Sequence, residues 1–385
     1  MYFCILVMKK YIVVILLIFT VLCPETGSAQ VVDSAARERK NVFVEAWGWF
    51  SRWRERAQTK GYEPGYVEYP REHPWQAKLI GKMALTTISM HMPFMTDKNS
   101  YFDLENTTGL SSKLSAGLYY RGWGLSYGPR LSNKSDLYLS LSSYGRVFGF
   151  DFKLDNFRRL HTSLSWVDNE NKDGGTGRLP GLKGPELILL ELNTYYVFNN
   201  KKFSYASALS QTTWQKKSAG SVIAGASIFA SYLGFDHDFF GQIQFPTPYY
   251  ADTLNVLSWN LLVGVGYAYN KVWEEGRWML HVSLLPMLRW SYFNSVEIGP
   301  NGELSSWPTT ERESFTQIRN EIYNYAEQEH FSFSAMARLA GLWNINERWV
   351  AGAVCMLSHY WGGAHDGMKL MTFDSLMMIY GGFRF

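Results

Sequence analysis

Ser358-His359 and His365-Asp366 are the residues whose types suit nucleophilic chemistry, since a histidine-activated serine is how a lipid hydrolase works at a membrane boundary. Neighbours on one strand point to opposite faces, so Ser358 and His359 can meet only where the strand has ended. A triad also needs an acid to orient the histidine, and spacing alone does not supply one. A polar loop is the simpler reading, and no residue is assigned a catalytic role. Asp236, His237 and Asp238 offer oxygen and nitrogen ligands, and Asp168, Glu170 and Asp173 could hold calcium in a glycine-bearing loop. Neither group has the ordered spacing of a zinc or EF-hand site, so solvated loop acids are expected and no metal or other cofactor is assigned. Gly174-Gly175-Thr176-Gly177 lacks the Gly-Lys-Ser/Thr ending of a phosphate loop and runs into Pro180 rather than a helix.

The elements that must carry these residues are strands. From Trp75 onward, apolar and polar residues alternate with a period of two between turns. In Asn255 to Tyr269, Leu257, Trp259, Leu261, Val263, Val265, Tyr267 and Tyr269 oppose Ser258, Asn260, Gly264, Gly266 and Ala268. Phe331 to Trp343 sets Phe333, Leu339 and Trp343 against Ser332, Ser334 and Arg338, and Leu160 to Val167 sets Leu160, Leu164 and Trp166 against His161, Ser163 and Ser165. The last segment, Leu370 to Phe385, places Met371, Phe373, Met377, Ile379, Phe383 and Phe385 opposite Thr372, Asp374, Tyr380 and Arg384. A soluble sandwich alternates too. Aromatic residues, however, gather near strand ends, at Tyr119-Tyr120, Trp123, Tyr267, Tyr269, Trp273, Trp343 and Trp349, as in the girdles of a lipid-embedded barrel.

An all-β, antiparallel up-and-down transmembrane barrel is therefore expected. Short turns at Asn199-Asn200, Asn270 to Gly276 and Asn344 to Arg348 alternate with long loops at Asp168 to Pro185 and Asn294 to Gln328. Thirteen segments can be read after Trp75, but a barrel with both ends on one side has an even number. The discrepancy falls between Ser218 and Asp252, where Phe239 to Phe245 reads as a further crossing; 12 or 14 strands are expected, with 14 preferred. The polar faces then carry Arg146, His161, Glu191, His281, Arg289 and Arg338 toward the lumen. Such groups are costly alone in a low dielectric, so they are expected to pair or to meet water. A polar core that holds the barrel together is preferred over an anion-favouring pore.

Composition agrees with this architecture. Only 18% of the 385 residues are charged, 16% are aromatic, and the mean hydropathy is -0.17. Past the N-terminus no run approaches the ~20 apolar residues of a spanning helix. Residues 1–29 read as a secretory signal, with Lys9-Lys10, an apolar run from Tyr11 to Leu22 and a small-residue site at Gly27-Ser28-Ala29. Residues 30–74 read as a periplasmic element. Within it, 33–58 form an amphipathic helix with Phe43, Trp47, Phe50 and Trp53 on one stripe, expected at the barrel mouth, at the headgroups or as a plug. A linker bearing Pro64, Pro70 and Pro74 then leads to the barrel, residues 75–385. Removing residues 1–29 leaves a net charge of +2, which argues against a nucleic-acid surface, and Cys355 as the one cysteine, which excludes an internal disulfide.

Two resemblances add to this reading. Phe385, with Phe383 two residues before it, resembles the terminal strand of Gram-negative outer-membrane barrels, which implies an assembly signal read by the barrel-assembly machinery. Tyr195-Tyr196-Val197-Phe198-Asn199, Phe203-Ser204-Tyr205 and Gln215-Lys216-Lys217-Ser218-Ala219-Gly220-Ser221 stand between Ser143-Tyr144-Gly145-Arg146-Val147-Phe148-Gly149-Phe150-Asp151 and Gly266-Tyr267-Ala268-Tyr269-Asn270. This set resembles the family called domain of unknown function 4421, over roughly Trp75 to Phe385. Membership implies an outer-membrane barrel and carries over no catalytic residue. The expected protein is a non-enzymatic barrel in contact with outer-membrane lipids, serving as a pore or transporter for small solutes or as a structural envelope component. The alternative is a membrane-embedded lipid-modifying hydrolase using Ser358 and His359.

Overall fold

The computed structural model describes residues 61–69, 72–93, 101–129, 137–157, 160–167, 176–243, 251–326, 330–363 and 369–385. The expected signal (1–29) and helix (33–58) lie outside them. β1 (Val67–Glu68) precedes the wall. β2 (Trp75–Pro93) rises from what we term the near end, and its partner descends in two pieces, β3 (Tyr101–Thr107) and β4 (Ser111–Tyr120). β5 (Trp123–Pro129) and β6 (Leu137–Tyr144) form a short hairpin. β7 (Phe148–Phe157) and β8 (His161–Val167) rise in succession, and β9 (Thr176–Lys183) and β10 (Glu186–Val197) descend. At the near end follow helix α1 (Tyr205–Leu209) and β11 (Trp214–Gln215). β12 (Ala219–Phe235) rises to helix α2 (His237–Ile243), and β13 (Ala251–Trp273) and β14 (Trp278–Pro300) form a long hairpin. Helix α3 (Thr309–Ala326) stands at the far end, before β15 (His330–Asn344), β16 (Trp349–Gly363) and β17 (Lys369–Arg384).

All wall pairings are antiparallel, and β17 pairs with β2 from Arg384↔Gln76 to Lys369↔His91, so the sheet closes. The ring contains twelve strands, β2, β4–β7, β10 and β12–β17. Of the expected twelve or fourteen strands the ring takes twelve, against the preference for fourteen. Phe239–Ile243 belongs to α2 rather than to a further crossing, and Phe239 and Phe240 are buried in the same core. Two successive residues can face one core from a helix but not from a strand. The Asp236 carboxylate starts that helix by accepting from the Phe239 N–H at 3.2 Å.

The far end departs from a plain cylinder. β3 and β4 are one strand broken by a bulge: the Thr108 N–H donates to the Thr86 carbonyl at 2.9 Å, the Thr86 N–H donates to Thr108 Oγ1 at 3.0 Å, and Gly109 takes a φ of +59°. Past the bulge, β3 pairs with β8 across the top of the short β5–β6 hairpin. The two loops expected at this end contain regular structure in their described parts, since β9 lies within Asp168 to Pro185 and both the end of β14 and α3 lie within Asn294 to Gln328. The outer edge of β9 is met by Gln242 of α2, whose amide accepts from the Lys183 N–H at 2.8 Å and donates to its carbonyl at 3.2 Å. A side chain here does the work of a strand partner.

Outward residues along the wall form an apolar belt that includes Leu79, Val263, Val265, Tyr267, Leu284, Leu288, Phe333 and Ile379, all exposed. Trp278 stacks on Trp343 at 5.0 Å near one rim. Each such aliphatic side chain would gain about 1.5–3 kcal/mol on leaving water, so a continuous belt demands an apolar solvent. The seam is finished by Phe385, whose N–H donates to the Trp75 carbonyl at 2.9 Å while Trp75 N–H donates to the Phe385 carbonyl at 3.1 Å. Deleting Phe385 is expected to lower the yield of heat-modifiable folded barrel far more than deleting one exposed residue of the Asn294 to Gln328 segment; equal yields on gels would contradict it.

Candidate functional site

Among the described residues the lumen gathers a set of buried charged side chains, and it is filled in three layers. At the near end the chain leaves β10 at Val197 and re-enters the wall at Ala219, and the segment between them turns inward. Ser204 caps α1 by accepting from the Ser207 N–H at 3.2 Å, and Phe203, Ala208, Ser210 and Gln211 are fully buried. This insert replaces the short turn expected at Asn199-Asn200. Its run of serine, glutamine and threonine from Ser204 to Thr213 satisfies itself and the wall: Asn270 Nδ2 donates to the Ser204 carbonyl at 2.9 Å, and Trp214 Nε1 donates to the Gly276 carbonyl at 2.7 Å.

Gln211 joins the insert to both sides of the seam. Lys78 of β2 donates through Nζ to the Ser210 carbonyl at 2.8 Å and to Gln211 Oε1. Arg384 of β17 donates to the Gln211 carbonyl at 3.1 Å, to Asn344 Oδ1 at 2.9 Å and to the Glu347 carbonyl at 3.2 Å. Neither cation has a carboxylate partner among the described residues. Gln211 adopts a φ of +55° to present its carbonyl and side chain to both.

The middle layer is ionic. Lys153 pairs with Glu191 at 2.9 Å, Arg338 with Asp151 at 2.9 Å, and Lys113 with Asp155. Tyr144 donates to Asp151, Thr86 donates to Asp374 at 2.7 Å, and Lys82 lies over the Tyr138 ring. Among the described residues, spaces of about 20 and 30 Å³ lie at this level, each enough for single waters. The far layer is apolar, with Ile88, Phe157, Leu187, Leu233, Phe239 and Leu262 in one cluster.

Of the residues assigned to the lumen by pattern, Glu191, His281, Arg289 and Arg338 are buried inside it. His281 meets Asn270 Oδ1 at 2.7 Å, and Arg289 donates from Nε to Asn260 Oδ1 at 2.8 Å. Two positions are corrected. Arg146 sits in the β6–β7 turn at the near rim and donates to Asn200 Oδ1 and the Gly61 carbonyl, because the strand ends at Tyr144. His161 faces outward, with Leu160 and Thr162 buried instead. β8 belongs to the far-end sheet over the apolar layer, so its inner face is set by that core and not by water.

Pattern reading passed over Lys78, Lys82, Lys113 and Lys153. The spacing of Gln76, Lys78, Lys82 and Thr86 on alternate positions of β2 was the available signal. Ser358 and His359 lie within β16, which continues to Gly363; Ser358 is buried inward, and His359 packs toward Phe373 at 6.2 Å on the outer face. They do not form a dyad. His365, Asp366, Asp168, Glu170, Asp173 and Gly174-Gly175 lie outside the described residues, among which no group of three potential metal ligands converges.

The chain belongs to the DUF4421 family, a domain of unknown function, whose sequence profile matches residues 65–385. No curated protein matches it. Among solved structures it is similar to the outer membrane protease OmpT from Escherichia coli, with a TM-score of 0.43 and 5% identity over 81% of this chain and 96% of that one. The translocator domain of the autotransporter NalP from Neisseria meningitidis gives 0.32 and 8%, over 91% and 100%. The toluene transporter TodX from Pseudomonas putida gives 0.26 and 8%, over 85% and 96%. At these scores the likeness bears on neither activity nor cargo.

Two tests follow from the layers. Replacing Asp151 by Ala strands the Arg338 guanidinium in the lumen and is expected to cost about 3–5 kcal/mol in urea unfolding, while Arg338→Met with Asp151→Leu recovers most of it. A single-variant loss no larger than the double's would contradict the pairing. At the far end, exposed His237 is held above its ordinary pKa by its hydrogen bond to Asp252, with the carboxylate's charge adding to this. A raised pKa means the contact is complete below the free-histidine value near 6.5 and is lost as pH rises through the folded value. The His237 ring resonance should titrate above the unfolded midpoint and return to it in Asp252→Asn; identical midpoints would contradict the contact.

Proposed function

We propose that this protein is a β-barrel of the Gram-negative outer membrane that serves as a closed structural component of the envelope rather than as an open solute pore. The observation that carries the reading is the double filling of the lumen, by the insert at the near end and the apolar layer at the far end. A conducting barrel needs a continuous polar, hydrated path, and an apolar core across the lumen removes it. The exposed apolar belt and the aromatic Phe383–Phe385 end support a lipid-embedded wall inserted through the barrel-assembly machinery. On this reading the near end faces the periplasm, and a leader within residues 1–29 exports the chain. The arrangement of Ser358 and His359 on opposite faces gives the hydrolase alternative no support. Purified protein in planar bilayers is expected to show no sustained conductance at moderate voltage; steady, porin-sized steps would overturn the reading.

A further inference from the structure

We propose that residues 61–68, just ahead of the barrel, are a strap that keeps the lumen insert seated, and with it the clasp that Gln211 places on the first and last wall strands. The inference deepens the closed-barrel reading and rests on the insert described above. Four kinds of contact make the strap. Tyr62 donates from its hydroxyl to Ser204 Oγ at 3.3 Å, and the Glu63 N–H donates to the Lys201 carbonyl at 2.8 Å. β1 pairs with β11 in register Val67↔Gln215, with the Lys216 N–H donating to the Tyr66 carbonyl at 2.8 Å. Glu68 and Lys216 close the end with a 3.0 Å ion pair.

Nearly all of this bonding goes to the insert. The wall contributes Arg146, from the β6–β7 turn, to the Gly61 carbonyl at 3.4 Å. The Tyr62 phenol is desolvated enough beneath the insert to push its pKa up to about 12, with the Ser204 hydrogen bond offsetting part of the effect. The expected free linker across residues 60–74 is therefore docked along 61–68.

The insert needs such a restraint. The polar part of its seat, made by Lys78, Arg384, Asn270 and the Gly276 carbonyl, is bonding that water could replace at the near end, while Phe203 and Tyr205 pack on Tyr195, Val197 and Ile223. The left-handed backbone at Gln211 adds strain that leaving the seat would relieve. Because the strap is continuous with residues 1–60, anything that holds or pulls that leading chain acts first on the insert and then, through Gln211, on the β2–β17 seam.

The test is hydrogen–deuterium exchange on the full chain in lipid nanodiscs. Tyr62→Ala with Glu68→Pro, which removes the tyrosine contact, the Glu68–Lys216 ion pair and a backbone donor in β1, is expected to speed exchange of the 203–213 amides about tenfold and to leave β13–β15 unchanged. A second variant, Val67→Cys with Gln215→Cys and the native cysteines replaced by serine, joins two directly opposed residues; the bonds of the Gln215 amide to Ser204, Lys202 and Lys217 are lost in both redox states, so the reduced form is its reference. Its insert should exchange more slowly oxidised than reduced. Unchanged exchange in the first variant, or equal exchange in the two redox states of the second, would overturn the strap. Loss of the heat-modifiable barrel in the first would do the same, since the segment would then belong to the wall. Bilayer conductance is not the readout, so the closed-barrel reading and the strap fail separately.

Discussion

Lys78 and Arg384 are buried cations on the two strands that close the barrel, and the lumen offers them no carboxylate among the described residues. Taking such charges out of water costs several kcal/mol each unless acceptors are fixed around them. The acceptors come chiefly from one short segment, as the Ser210 carbonyl and both the side chain and carbonyl of Gln211. The near half of the lumen is therefore organised by a need that arises at the seam: to close the cylinder with these residues inward, the chain between β10 and β12 must fold inward too. The positive φ of Gln211 is the local conformational cost of serving both strands at once.

The layers above follow from the same accounting. Mid-lumen charges are tolerable because Lys113, Lys153 and Arg338 each have a carboxylate, Tyr144 donates to Asp151, Thr86 donates to Asp374, and Lys82 lies over the Tyr138 ring. Farther up, β3, β8, β9 and α2 surround an interior of leucine, isoleucine and phenylalanine, and the wall behaves like a soluble fold with a dry core. That change of solvent logic along one cylinder explains why the barrel is closed at both levels by different means.

Period-two alternation made the wall legible, including the outward set of β13 from Trp259 to Tyr269 and the terminal strand ending on Phe385, because a strand between lipid and lumen imposes one rule at every second position. The same rule misread β8. There the inner face meets a hydrophobic core, so the polar set that includes His161 points out. The insert was invisible for a related reason: Ser204 to Thr213 is a short run without strand alternation, in which Tyr205, Ala208 and Leu209 make a single turn's apolar face, and its burial is decided by distant partners on β2, β13 and β17. The acidic and basic residues on the polar strand faces could be found by parity, but their pairing across strands, Lys113 with Asp155 or Arg338 with Asp151, depends on the shear of the closed barrel. Phe239 to Phe245 reads as a crossing on strand parity alone, whereas the shared burial of Phe239 and Phe240 requires a helix.

The central claim is that the near half of the lumen is occupied by the chain itself and not by water. A cryo-electron microscopy map of the protein in a lipid nanodisc tests this directly. The account expects continuous main-chain density from Phe203 to Thr213 inside the barrel, with the Gln211 side chain beside Lys78. A lumen open to solvent at that level, with the segment lying outside the cylinder, would contradict it.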